Sequence, residues 1–293
     1  MRSAGGELVQ TLLLGEVTSP ELEKSVYEVD SEGRAFVPIG CGGVRYNVKV
    51  GMSAFGWAAD QVQPGASIAN PLVAANRALN TYSCVGNRVR VHSGNAAGAV
   101  GLVTGKHERF GGFQQVVIDL PQPALELLAP GDQVVVEAVG RGLAVDGIPA
   151  VSLHSLSPRL WQSWSPRASE GKLIVRVAQS IPGRLVGIGS GRVSATTSIS
   201  IQTPKLALER EPQLLRLRLG DMVAISDWDA AFNTGYREGS SLIGVVVHGS
   251  SRIAGQGVGL TILMSGRSNS LVPELDPDAN LVSILGIQDH KFG

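Results

Sequence analysis

The sequence predicts a mainly β protein, α+β only at its margin, built as two β-rich barrel-like domains with few short helices. Three observations carry this reading. Short runs rich in Val and Ile alternate apolar and polar residues, the period of a half-buried strand. The 37 glycines among 293 residues fall between these runs and form no low-complexity tract. One local pattern also occurs twice, in LAPGDQVVVEAVGRG (128–142) and LRLGDMVAISDWD (217–229). In each, an apolar residue leads into Gly-Asp and then into an alternating strand. The glycine supplies the turn, and the aspartate is placed to accept a backbone hydrogen bond where the strand begins.

Taken in order, VRYNVKVG, NRVRVHSG, QVVIDLP, DQVVVEAVG and KLIVRVAQ read as strands. Helical candidates are the stretch from Pro71 to Leu79 (PLVAANRAL) and the shorter PALELLAP near Leu125. SLSPRLWQSWSPRASEGK (155–172) is rich in Ser, Pro and Trp and poor in periodicity. It marks the expected boundary between an N-terminal domain, 1–165, and a C-terminal domain, 166–293, with Trp161 and Trp164 packing across the interface.

Composition removes several function classes. Formal net charge is zero and the pI near 7, and no basic stretch is interleaved with aromatics, so nucleic acid is not an expected partner. No window approaches the length of a membrane span. The opening MRSAGGELVQTLLLGE has one Arg and a short apolar patch broken by Gly15 and Glu16, unlike a signal peptide. A cytoplasmic protein, a homo-oligomer acting on a small molecule, is the expectation. The two cysteines, Cys41 and Cys84, show no zinc-ligand spacing and are expected to stay reduced.

No GxSxG, HExxH, GxxxxGK[ST] or paired CxxC occurs. GIGSGR (187–192) is followed by VSATTSISIQ, a strand where a dinucleotide fingerprint needs a helix, so no nucleotide cofactor is expected. Four stretches concentrate polar groups beside glycine: GMSAFGWAADQVQPG with Asp60; YSCVGNRVRVHSGNAAG with Cys84, Asn87, His92 and Ser93; VTGKHERFGG with Lys106 and His107; and ISDWDAAFNTGYREG with Asp227, Asp229 and Arg237, running on to His248. Glycine beside polar residues at strand ends lets a ligand approach the backbone. Structural readings stand beside these: Asp60 capping a turn, Cys84 inert in a core, and Arg237 paired with Asp229 on a solvated rim.

RYNVKVGMSAFGWAADQVQPG, SCVGN, SGNAAGAVGLVTGKH and YREGSSLIGVVVHG together resemble a prokaryotic family of unknown function, number 4438, over about Gly40 to Leu285. The resemblance implies a mainly β, two-domain fold and no activity. Where that family has Asp-His-Val-Glu-Pro-Gly, this chain has Asp60-Gln61-Val62-Gln63-Pro64-Gly65. It carries Glu108-Arg109-Phe110 after Gly-Lys-His, then Gln115 near where the family has another His. Trp228 stands in the middle of the family's Asp-His-Asp or Asp-Gln-Asp triplet. An amide in place of an imidazole keeps a hydrogen bond but cannot take up a proton near neutral pH and is a poor zinc ligand.

The expected function is therefore a small-molecule enzyme with a polar site between the domains. Hydrolysis of an amide-type C–N bond is the first reaction to test, by analogy with β-rich metal amidases. Asp60, Lys106, His107, Asp227 and Asp229 are the candidate catalytic residues; Asn87, Ser93, Arg237 and His248 are candidate substrate-binding residues. A divalent Mg, Mn or Zn on Asp227, Asp229 and His248 would assist. The alternatives are a metal-free lyase or isomerase working by proton transfer, or a non-catalytic metabolite-binding oligomer. In the last expectation, Asp227 and Asp229 share one strand face and turn toward His107.

Overall fold

The computed structural model describes residues 2–3, 7–20, 26–38, 40–108, 113–196 and 198–287. Arg109 and Phe110 lie outside them. Strands hold 41% of the chain and helices 16%, so the fold is mainly β. Six strands close a barrel: β1 (Thr11–Val17), β2 (Gly65–Ala69), β3 (Arg88–Val91), β4 (Val100–Glu108), β5 (Gln114–Asp119) and β6 (Gln133–Ala138). Their order is β1-β6-β3-β4-β5-β2, and β2 pairs back onto β1 through Glu16↔Ala69 and Val17↔Ile68. Closure leaves no free strand edge on the ring. Val89, Val91, Val134 and Val136 alternate inward to fill it, with Ile68, Val116 and Ile118 opposite.

The rest of the sheet structure is organised around two long hairpin strands. Its strands are β7 (Val151–Leu153), β8 (Lys172–Val177), β9 (Gln179–Pro182), β10 (Ser198–Gln202), β11 (Met222–Asp229), β12 (Gly235–His248), β13 (Gly257–Gly266) and β14 (Leu271–Leu275). The order β7-β13-β12-β11-β9 is antiparallel except for the parallel β9–β11 edge, and β10 pairs with β13. β8 pairs in parallel with β14 in a separate small sheet. β13 is buried along its whole length and β12 from Leu242 to His248, and the barrel's β4 packs against both.

Several sequence expectations change here. VRYNVKVG forms strand only at Val44–Arg45 and then turns. Helix α1 runs Val73–Tyr82 and α2 Gln122–Leu127, close to expectation. The stretch read as the domain boundary contains helix α3, Pro158–Trp164, capped by Ser157, whose Oγ accepts from Leu160 N at 3.1 Å. Pro158 at its first position suits a helix start. Two further short helices are α4 (Lys205–Arg210) and α5 (Leu281–Leu285). Trp164 sits in a core cluster shared by Val85 and Leu102 from the barrel and Leu173 and Met222 from beyond it. Its Nε1 donates to Arg176 O at 2.9 Å.

The repeated Gly-Asp turns are built alike. Asp132 Oδ2 accepts from Ala129 N, and Asp221 Oδ2 from Arg218 N, each at 2.8 Å. ISDWDAAFNTGYREG is mostly strand: β11 continues to Asp229 and β12 begins at Gly235, leaving a short connection.

Candidate functional site

Cys41 lies on a Gly40-Cys41-Gly42-Gly43 turn that approaches the Asp60–Val62 backbone very closely. A Cβ on Gly40 would stand 1.9 Å from Asp60 O, so only glycine allows this approach. The turn places the half-buried Cys41 thiol 3.9 Å from His107 Nδ1, on β4. His107 in turn stacks against His248 at the end of β12, with ring centroids 4.2 Å apart and planes tilted by 41°. The barrel thus contributes one imidazole and the long hairpin the other. Neither side chain is more than 4% exposed, which keeps bulk water off both rings.

The tautomers follow from the neighbours. Gln63 Oε1 accepts from Gly42 N at 2.9 Å and from Ser67 Oγ at 2.8 Å. A backbone N–H can only donate, so the amide orientation is fixed and Gln63 Nε2 donates to His107 Nδ1 at 2.7 Å. His107 therefore carries its proton on Nε2. His248 Nδ1 lies 2.8 Å from Gly249 O and donates to it, leaving Nε2 bare. Its ring lies over Gly259, where a Cβ would meet Nε2 at 1.9 Å. Burial pushes the His248 pKa down to about 4, so this ring is neutral at physiological pH.

Gln61 has φ of +53°, a left-handed conformation a long side chain seldom adopts. It is held by Gln61 N donating to Ser250 O at 3.0 Å and by Gln61 Oε1 accepting from the Cys41 thiol at 3.5 Å. Arg45 approaches the same thiol. Burial pulls the Arg45 pKa below its ordinary value, and Cys41 opposes that shift. Cys41 and Gln61 line a cavity of about 220 Å³, together with Asp60, Glu28, Ile188 and Gln256. A larger cleft of about 1100 Å³ shares Ile253, Ala254 and Gln256 with it.

Other residues singled out from sequence sit elsewhere. Asp60 lines the cavity, but both carboxylate oxygens hold the 249–256 connection: Oδ1 accepts from Arg252 N at 2.6 Å and Oδ2 from Ser251 Oγ at 2.9 Å. Lys106, next to His107 on β4, points the opposite way, as strand alternation requires. Fully buried, it donates from Nζ to Asn80 O at 2.7 Å and Ala195 O at 2.8 Å. Burial lowers its pKa to about 8.

Asn87 serves its own turn, accepting from Cys84 N and donating to Val139 O. Ser93 Oγ accepts from Gln133 N. Of the residues marked as departures, Gln63 bonds His107 directly, and Gln115 stands opposite His107 across the β4–β5 ladder. Cys84 is a buried free thiol whose pKa burial raises.

Asp227 and Asp229 depart furthest from expectation. A bulge between Ser226 and Trp228 interrupts alternation, and Asp227 takes φ of +56°. Asp227 Oδ1 accepts from Gly239 N at 2.9 Å. Asp229 Oδ2 instead receives Arg267 Nε at 2.8 Å and Nη2 at 2.6 Å, and Oδ1 receives Ser265 Oγ at 2.8 Å. Arg237 reaches Asp229 Oδ2 only at 3.9 Å. Asp229 pairs with Gly235 at the start of β12, whereas His248 ends that strand. Asp227, Asp229 and His248 therefore do not share one metal site, and neither aspartate faces His107. Among the described residues no three His, Cys, Asp or Glu side chains are grouped to hold an ion.

Sequence reasoning passed over Cys41, Gln63 and Gln256. The Gly-Cys-Gly-Gly string was the available signal, since glycines around a thiol permit close backbone approach.

Two family profiles cover most of the chain: the N-terminal domain of DUF4438, a domain of unknown function, over residues 27–162, and its C-terminal domain over 163–285. The solved crystal structure of TM1086 is similar at 37% identity and a TM-score of 0.87, covering 94% of this chain and 95% of that one. No curated protein matches. Among the described residues no helix is long and apolar enough to cross a membrane.

Proposed function

The chain belongs to the DUF4438 family, and from that premise we propose that it is a small-molecule enzyme cleaving an amide-type C–N bond, with Cys41 as nucleophile and His107 as its base. The observation that carries this is the Cys41 thiol, on the wall of a cavity, 3.9 Å from an imidazole nitrogen whose tautomer is fixed as an acceptor.

In the reaction, the Cys41 sulfur attacks the carbonyl carbon while its proton passes to His107 Nδ1, the Gln63 amide giving way. His107 returns that proton to the departing nitrogen as the C–N bond breaks, leaving a thioester and a free amine. Water, deprotonated by the same nitrogen, then cleaves the thioester to the carboxylic acid and restores the thiol. The stacked neutral pair His107 and His248 favours one second reading, proton transfer by an isomerase or lyase that uses the same thiol and imidazole without a covalent intermediate.

The test needs no known substrate at the outset. Iodoacetamide applied to the native protein should alkylate Cys41 and spare the buried Cys84, and His107→Asn should slow that reaction near neutral pH. A panel of small amides is then assayed for released ammonia or amine with wild type and Cys41→Ala. Release that persists in Cys41→Ala eliminates the thiol mechanism.

A further inference from the structure

We infer that the cavity beside Cys41 takes a neutral carboxamide or ureide, a ligand presenting a carbonyl oxygen and an N–H on one edge, and discriminates against carboxylates. The inference rests on the thiol reading above only in directing the ligand's carbonyl carbon at Cys41.

Its basis is the state of the polar groups around the cavity. Gln61 and Gln256 are 5% and 7% exposed and both line it. Gln61 Oε1 is engaged by the Cys41 thiol, but Gln61 Nε2 and the whole side-chain amide of Gln256 make no hydrogen bond among the described residues. Both side chains line the cavity, so this wall offers donors and an acceptor to whatever enters. A carboxamide is the complement of another carboxamide: its C=O accepts from one N–H while its N–H donates to the facing oxygen.

Charge selects in the same direction. Two carboxylates, Glu28 and Asp60, are on the cavity wall, and no described Lys or Arg is. Asp60 has both oxygens committed to Ser251 and Arg252, so it repels an anion without offering a free oxygen to a cation. Arg45 is not on the cavity wall. An anionic ligand would therefore leave water for a wall on which no described residue carries a positive charge.

Three isosteres separate the possibilities: benzamide, benzoate and benzamidine share one shape and differ in charge. Each is titrated against full-length Cys41→Ser protein by calorimetry, with thermal unfolding as a second reading. Benzamide should bind and raise the Tm, with benzoate weaker by about tenfold or more, the scale set by an unpaired buried polar group. Gln256→Leu should abolish benzamide binding. Gln256→Glu, nearly isosteric and a safeguard should the Leu variant not fold, should weaken benzamide and improve benzamidine.

Equal or tighter binding of benzoate overturns the assignment, as does benzamide binding unchanged in both Gln256 variants, or no binding of benzamide at all. Benzamide selectivity beside an unreactive Cys41 removes the catalytic reading and keeps this one. A reactive Cys41 without that selectivity does the reverse.

Discussion

Arg267 grips Asp229 with two nitrogens, Nε at 2.8 Å and Nη2 at 2.6 Å from one carboxylate oxygen, while Ser265 Oγ takes the other. The guanidinium also lies over the Phe232 ring, 5.4 Å from its centroid. This is a clamp from the end of β13 to the end of β11, the two strands that flank β12, and it holds the β11–β12 connection in place. Asp229→Ala should therefore cost about 3 kcal/mol of stability, the usual range when one partner of a buried pair is removed. Asp227→Gly relaxes a left-handed backbone and loses one hydrogen bond, so it should change stability by about 1 kcal/mol or less. Chemical denaturation of both variants checks this; equal losses would refute the distinction.

Asp60 should act on loop order before chemistry. Asp60→Ala removes the acceptors for Arg252 N and Ser251 Oγ, each bond to a charged group being worth about 1.5–3 kcal/mol. Amide hydrogen exchange at Arg252 should accelerate, while that of the barrel strands stays as in wild type. Unchanged exchange at Arg252 would show that the contact holds nothing.

The pH dependence of stability carries a defined sign. Burial lowers the pKa of His154 and His248 to about 4, from 6.5. Between those values the unfolded chain binds more protons at both sites, so stability falls as pH falls through this window. Asp119 opposes them. Burial raises its pKa to about 7 from 3.8, Lys49 pulling the other way, so the native state binds the extra proton there. Asp119→Asn removes that opposition and should steepen the acid loss by about 1.4 kcal/mol per pH unit. Denaturation midpoints between pH 4.5 and 6, a range of roughly one proton's linkage, report it directly; parallel curves for the two proteins would sink the assignment.

Gly259 should tolerate no side chain. A Cβ there meets His248 Nε2 at 1.9 Å, so Gly259→Ala must displace the imidazole from its stack on His107. Loss of about 1–3 kcal/mol is expected, the range for overpacking a core. Native alkylation of Cys41 should also change rate, since the ring that backs its base has moved. A variant as stable as wild type would mean the hairpin yields instead.

The barrel was legible because alternation in NRVRVHSG and DQVVVEAVG is local, and a closed sheet keeps that alternation in register. His107 and His248 were legible as strand-end polar residues, though nothing local says that they stack. The aspartates were misread for a physical reason: one extra residue at Asp227 reverses every side chain beyond it. Asp229's true counter-ion, Arg267, follows β13, two strands further along the chain. Cys41 was judged by its disulfide prospects alone. Its surroundings come from Gln61, Gln63 and His107, which only the fold brings together.

Lys106 reaches from the barrel to two main-chain oxygens, Asn80 O and Ala195 O, and to no side chain. Any amino acid at positions 80 and 195 offers the same carbonyl. The lysine contact itself places no demand on the side chains at these positions, so no correlated change with Lys106 in a family alignment would betray it. A shift in chain length near either position would break it at once. In evolutionary terms, the link between the two halves is guarded against insertions and deletions far more than against substitutions.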